Sequence, residues 1–164
     1  MSGGVLIRRL TPRDATAFRV IRLEALDRHP ESFGATYAEE NVQPLDFFAG
    51  RLESSVVFGA WAEAGLVGVA GIYFDPALGP DTGNLWTIYV RHGQRRTGLA
   101  RQLIEALIED VRPRVSRLRL TVNSENQPAL RLYEQLGFAA CGINKNALER
   151  GGRFYDEVLM ERKA

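Results

Sequence analysis

Between Leu85 and Val90 the chain runs Leu-Trp-Thr-Ile-Tyr-Val, with no charge. A strand this apolar is buried on both faces, which calls for an α/β arrangement with layers on either side of a sheet. It is followed at once by a basic, glycine-containing turn at residues 91–98. A helix at about 99–111 comes next, with Leu99, Leu103 and Leu107 on one stripe and Pro113 beyond its end. This strand–turn–helix is the pivot of the chain.

The other elements fall around it. Val5–Leu10 reads as a short strand. Thr11, Pro12 and Asp14 form a capping-box-like start to a helix carrying Phe18, Ile21 and Ala25. His29-Pro30 ends that helix near Arg28, because the residue before proline is driven out of the α region. Residues 30–43 read as irregular, and a short helix with Leu45, Phe48 and Leu52 on one face begins near Pro44. Residues 56–62 and 66–74 form two strands joined by the short connection Glu63-Ala64-Gly65. Asp75 to Gly83 is a turn-rich loop. After the central helix, Arg117–Val122 alternates charged and apolar residues as a strand. Asn126–Leu136 is a helix closed by Gly137. Strands at about 138–143 and 154–161 are separated by a loop from Asn144 to Arg153. The order β-α-α-β-β-β-α-β-α-β-β has neither repeat nor linker, so residues 1–164 read as one α/β domain around a mixed sheet.

The turn has its own chemistry. The first N–H groups of a helix have no internal partners and lie at the positive end of its dipole. A diphosphate placed against Arg95-Arg96-Thr97-Gly98-Leu99-Ala100 collects several of them, and Gly98 and the small Ala100 allow close approach. Arg95, Arg96 and Arg101 add positive charge. Taken alone, the segment is equally an ordinary strand–helix turn with a solvated basic face. It is neither a Gly-x-x-x-x-Gly-Lys-Ser/Thr loop nor a Gly-x-Gly-x-x-Gly turn, so P-loop ATPases and dinucleotide folds are disfavoured. With 21 basic and 20 acidic residues the net charge is +1, and nothing global points to nucleic acid or an anionic membrane. No apolar run approaches the roughly 20 residues that span a bilayer. The single cysteine, Cys141, excludes an intramolecular disulfide and suits a reducing, cytoplasmic setting. His29 and His92, the only histidines, do not suggest a metal site.

Two motifs carry a resemblance. Residues 90–104 contain Arg95, Gly98 and Ala100 in the pattern Gln/Arg-x-x-Gly-x-Gly/Ala. Residues 122–138 match Val-x3-Asn-x2-Ala-x3-Tyr-x3-Gly-Phe at every named position, through Val122, Asn126, Ala129, Tyr133, Gly137 and Phe138. Together they resemble the GCN5-related N-acetyltransferase (GNAT) superfamily, and the element order extends the resemblance over nearly the whole chain. His92 stands where that family often has proline, and Arg96 where it often has glycine. The resemblance implies a single-domain GNAT-like fold with splayed central strands and acetyl-CoA as acyl donor. The strand at 85–90 then carries a bulge and separates from the strand at 117–122. Backbone groups of Ile88 and Val90, with Tyr89 between, would bind pantetheine. Residues 95–101 would hold the pyrophosphate. Asn126 would reach the pantetheine–acetyl arm from a region that includes Asn123 and Ala129, and Tyr133 would give a proton to the departing thiolate.

The implied reaction is direct transfer, with an amine attacking the thioester and backbone N–H groups stabilising the oxyanion. A lysine-like amine has a pKa of about 10.4 in water, so a base is needed. Relatives often place a glutamate on one of the splayed strands. The matching positions here are Trp86 and Thr121, which leaves Glu39, Glu40, Asp75 or a water chain held by Thr87 as candidates. Phe33, Tyr37, Trp86 and Tyr155 are candidates for an aromatic acceptor wall, with Glu39, Glu40 or Asp156 attracting a cation. The expected acceptor is a small amine or amino-acid-like metabolite. The alternatives are a protein N-terminus or lysine and, from another class, a non-catalytic acyl-CoA sensor. The family's habit of pairing through its late strands also implies a homodimer.

Overall fold

The computed structural model describes residues 4–95 and 97–164. Seven strands form one mixed sheet in the order β1-β2-β3-β4-β5-β7-β6. They are β1 (Leu6–Arg9), β2 (Val56–Ala62), β3 (Gly65–Tyr73), β4 (Thr82–Val90), β5 (Arg117–Asn123), β6 (Ala139–Arg150) and β7 (Arg153–Lys163). Among the described residues, five α-helices accompany them: α1 (Ala15–Arg28), α2 (Tyr37–Asn41), α3 (Leu45–Ser54), α4 (Leu99–Val111) and α5 (Gln127–Gln135). All neighbouring strands are antiparallel except β4 and β5, which run parallel. The α/β class, the order of the long elements and the splayed central strands follow the sequence expectation.

Two core clusters, one on each face, explain the apolar character of β3 and β4. Leu99, Leu103, Ile104, Leu107 and Ile108 of α4 pack on one face with Leu118, Leu120, Val122 and Met160. Phe18 and Ile21 of α1 and Phe48 and Leu52 of α3 pack on the other with Val57, Val69 and Tyr89. The predicted stripe on α4 is therefore its buried stripe.

Two segments differ from expectation. Residues 30–43 contain the short helix α2, capped at Thr36, whose backbone N–H and hydroxyl donate to the Glu39 carboxylate at 3.0 and 2.8 Å. One turn of helix is too short to show periodicity, although its Thr-x-x-Glu box is plain in the sequence. The loop expected from Asn144 to Arg153 is instead mostly strand. β6 continues to Arg150, and Gly151 and Gly152, with φ of 59° and 83°, make the two-residue turn into β7. Positive φ at both turn positions matches the twist of a hairpin.

One feature on the α1 face fixes local stability. Arg22 donates from Nε and from a terminal nitrogen to the two carboxylate oxygens of Glu40, each at 3.0 Å, and both side chains are 5% exposed. Removing one member of a buried pair leaves the other uncompensated. Arg22→Met is therefore expected to lower stability by about 3–5 kcal/mol, read from urea denaturation.

Candidate active site

β4 and β5 pair only at Thr82–Arg117, Gly83–Leu118 and Asn84–Arg119. Beyond Asn84 the two strands separate. Among the described residues, β4 from Leu85 to Val90 has no partner on its β5 side. On the β3 side the register steps from Gly71–Trp86 to Val69–Tyr89, so β4 carries one extra residue. Thr87 is the centre of this bulge, with φ of +52°. A β-branched residue in the left-handed region costs of order 1–3 kcal/mol, and such strain concentrates at functional sites. The Thr87 hydroxyl is buried and without a hydrogen-bond partner among the described residues. The bulge disrupts the ladder where the splay opens.

The wide end of the splay leads to the α4 N-terminus. Gly98 is the N-cap with φ of +78°, a value that favours glycine, and the place its Cβ would occupy is open space. A cavity of about 300 Å³ lies there, lined by Val90, Gln94, Arg95, Gly98, Leu99, Ala100, Arg101, Leu132 and Gln135. The free N–H groups of the first turn of α4, a glycine and two arginines suit a diphosphate. The unpaired edge of β4 suits an extended chain bearing amides. These features fit the donor that the sequence expectation names. Thr97 uses its hydroxyl to close the turn, donating to the Gln94 carbonyl at 2.6 Å. Arg101 reaches Gln135 of α5 at 2.8 Å, tying the two walls of the cavity together. Arg95 donates to the Val90 carbonyl at 3.2 Å and has its other end 2.8 Å from His29 Nε2. Burial and the neighbouring guanidinium hold the His29 imidazole below its ordinary pKa. Arg96 lies outside the described residues.

Tyr133 comes from the second motif. Helix α5 ends in a Schellman arrangement, in which Phe138 N–H donates to the Tyr133 carbonyl at 2.9 Å and Gly137 N–H to the Glu134 carbonyl at 3.0 Å. Gly137, at φ of +92°, makes that ending possible. The Tyr133 ring packs edge-on to Phe138 at 6.1 Å. Its hydroxyl makes no side-chain hydrogen bond among the described residues. Burial pushes its pKa well above that of an ordinary phenol, so it stays protonated.

Several expected roles look different in place. Asn126 caps α5, its side-chain oxygen accepting from Ala129 N–H at 3.3 Å, while Ala129 packs against the core. Asn123 donates to the Glu31 carbonyl at 2.8 Å and accepts from Glu125 N–H at 2.9 Å. Ile88 is partly buried at the splay. The Tyr89 side chain turns to α1, donating to Glu24 at 2.7 Å, and Glu24 also pairs with Arg91 at 3.2 Å.

The base candidates are committed elsewhere: Glu39 to its cap, Glu40 to Arg22, and Asp75 to Ala77 N–H at 3.0 Å. Asp75 also lies in the β3–β4 connection, at the closed end of the splay. Of the four aromatics, Trp86 and Phe33 meet through Arg22, whose guanidinium lies 5.3 and 5.6 Å from their rings. Tyr37 is exposed at the start of α2, and Tyr155 packs under Arg153 at 4.7 Å. Neither makes a ring–ring contact with that pair among the described residues, so no four-membered wall forms.

Two features of the site have no local signal in the sequence. Arg150 of β6 donates to the carbonyls of Pro30 at 3.0 Å, Phe33 at 2.7 Å and Gly34 at 3.1 Å. With Asn123 it staples residues 30–34 across the β5–β7–β6 side of the sheet as a strap. The other is Glu157 of β7, partly buried beside Arg150, where burial raises its carboxyl pKa and Arg150 opposes the rise. Neither belongs to a local motif, and only the strand register brings them here. Among the described residues no group of three or more His, Cys, Asp or Glu is placed to hold a metal ion, and no helix is long and apolar enough to cross a membrane.

Comparison with known proteins bears on this arrangement. The sequence model of the acetyltransferase (GNAT) family matches residues 20–138. The [ribosomal protein bS18]-alanine N-acetyltransferase of Escherichia coli K12 is 40% identical over 81 residues, covering 49% of this chain and 55% of that protein. The L-amino acid N-acetyltransferase AaaT of the same organism is 36% identical over 70 residues, 42% of this chain and 43% of that one. The chain thus spans about half the length of the curated relatives it matches. In three dimensions it superimposes on yncA of Salmonella typhimurium, solved with its cofactor acetyl-CoA. The TM-score is 0.80 at 21% identity, covering 98% of this chain and 94% of that one.

Proposed function

The chain belongs to the GNAT acetyltransferase family, and from that premise we propose that it is an acetyl-CoA-dependent N-acetyltransferase acting by direct transfer on a primary amine of a small, amino-acid-like metabolite. The observation that carries this reading is the splay of β4 from β5. It has a strained bulge at Thr87, the open N-terminus of α4 at its wide end, and Tyr133 on α5. A half-length relationship to an L-amino acid N-acetyltransferase, and a fold shared with an acetyl-CoA complex, support it.

Bound acetyl-CoA supplies an activated acetyl thioester. The chain's own residues do the rest. Leu99, Ala100 and Arg101, the first residues of α4, present backbone N–H groups to the diphosphate, with Gly98 leaving room for it. The free edge of β4 at Ile88 and Val90 takes the pantetheine amides. A backbone N–H freed by the bulge faces the charge that develops on the carbonyl oxygen. Tyr133, held protonated by burial, donates its hydroxyl proton toward sulfur. Its pKa lies above the roughly 8.5 typical of a thiol, so complete transfer from Tyr133 alone runs uphill. A relay removes the difficulty: the hydroxyl gives its proton to sulfur while accepting one from the acylated nitrogen.

Transfer to a protein N-terminus is the second reading, favoured by the 40% identity to the bS18-alanine enzyme. The lone Cys141 accords with work in the cytoplasm under either reading. The test is thiol release from acetyl-CoA with a panel of L-amino acids, their amides, and tripeptides beginning with alanine or glycine. Turnover of the small amines is the expected result. Turnover of tripeptides alone overturns the small-acceptor reading. Donor binding without any turnover leaves a sensor.

A further inference from the structure

We propose that Glu157 is the catalytic residue that receives the acceptor: it holds the incoming ammonium and takes its proton, supplying the base that Trp86 and Thr121 cannot. This rests on the transfer reading above.

The acidic side chains around the splay are accounted for by their partners. Glu39 caps α2, Glu40 pairs with Arg22, and Glu24 serves Tyr89 and Arg91. Glu125 pairs with Arg153 at 2.7 Å. Asp156 takes Lys145 at 3.2 Å and Asn146 N–H at 2.8 Å. Glu31 lies 3.9 Å from His29. Glu157 has neither an ion pair nor a side-chain hydrogen bond among the described residues.

Register gives its direction. Glu157 stands opposite Asn123 of β5 and Asn144 of β6. Directly opposed residues of an antiparallel pair share a face. Glu157 therefore rises on the face where Asn123 reaches the strap at Glu31. Thr121, two residues back on β5, lies on that face as well. This is the face of the splay that the strap roofs, opposite the α4 side. The charge of Arg150 opposes the rise, but its hydrogen bonds go to the carbonyls of Pro30, Phe33, Gly34 and Glu149 and leave the Glu157 carboxylate without a donor. A partly desolvated carboxylate without a partner is a site for a cation, and a raised pKa makes it a better proton acceptor.

The step balances. One N–H bond of the ammonium breaks and an O–H bond forms on Glu157, leaving the electron pair on nitrogen. That pair forms the C–N bond as the C–S bond breaks. Sulfur receives the proton that nitrogen then loses, and Glu157 gives its own to solvent as product leaves. One proton is released per turnover.

The test is Glu157→Gln, an isosteric change, assayed from pH 6 to pH 10 with the panel amine that wild type turns over fastest. At pH 7 the variant should lose roughly 100- to 10,000-fold in kcat/KM, the usual worth of a positioned base. The deficit should shrink about tenfold per pH unit below the pKa of the amine, as solvent supplies more free amine, and level off above it. Acetyl-CoA binding by calorimetry should be unchanged, which also verifies folding. The charged or titratable groups on the surrounding elements are Arg150 of β6, Tyr155 of β7, and Glu31 and His29 flanking or within the strap. On the same face, β5 contributes the neutral Thr121 and Asn123 next to Glu157 and, further along, Arg119 and Arg117, which pair with Glu161 of β7 at 3.8 Å. His29, whose imidazole is held below its ordinary pKa, is the other group able to accept a proton here, so a His29→Gln control should keep the wild-type pH profile and show no deficit that shrinks with pH. A deficit that is uniform across pH, or wild-type activity at pH 7, overturns the assignment to Glu157 alone. A wild type that binds donor and turns over nothing in the panel overturns the transfer reading with it.

Discussion

Gly98→Trp is expected to abolish acetyl-CoA binding while leaving a folded protein. The backbone at Gly98 lies at φ of +78°, where any other residue carries strain of about 1–3 kcal/mol. The position is exposed and a Cβ there meets open space, so nothing in the core is disturbed. That open space is the cavity at the start of α4, and an indole would occupy it in place of a diphosphate. Calorimetry should show clear binding by wild type and none by the variant. Binding within a fewfold of wild type would mean that the donor does not use the α4 N-terminus.

Tyr133→Phe should do the opposite, sparing binding and removing turnover. Phenylalanine keeps the edge-on contact with Phe138, and the lost hydroxyl makes no hydrogen bond among the described residues to leave unsatisfied. The expected fall in kcat is roughly 100- to 10,000-fold, as for loss of a positioned proton donor. Burial raises the Tyr133 pKa, so wild type should show no loss of kcat from phenol ionisation as pH rises through 9. A variant with unaltered kcat would remove Tyr133 from the chemistry. Together the two substitutions separate holding the donor from using it.

The long elements and the donor side were legible in the sequence because each is encoded locally. Leu99, Leu103 and Leu107 announce α4 by spacing, Gly98 marks a turn, and Gly137 closes α5 where a left-handed residue is required. The acceptor side was not, because pairs far apart in the chain build it. Glu39 and Glu40 are neighbours in sequence, yet one is an exposed cap and the other a buried partner of Arg22, 18 positions away. Nothing in residues 30–34 shows that Arg150, more than a hundred positions later, will hold them down. β6 runs past its expected end at about residue 143 for a related reason. It is an edge strand whose residues 139–147 are all exposed, so no alternation marks it. Glu157 was hidden among other charged residues of β7 until the register placed it across from Asn123.

The seam between β4 and β5 is only three residue pairs long. In mechanical terms the sheet is two plates, β1–β4 and β5–β7–β6, joined at a narrow bridge and opening away from it. A linear ligand lying along the free edge of β4 acts as a temporary eighth strand that braces the plates. Resistance to unfolding should then report donor occupancy, rising by about 2.7 kcal/mol when the donor is present at 100 times its Kd. Amide exchange in β4 should slow when the donor is present and return when it leaves, so the wedge gauges its own filling.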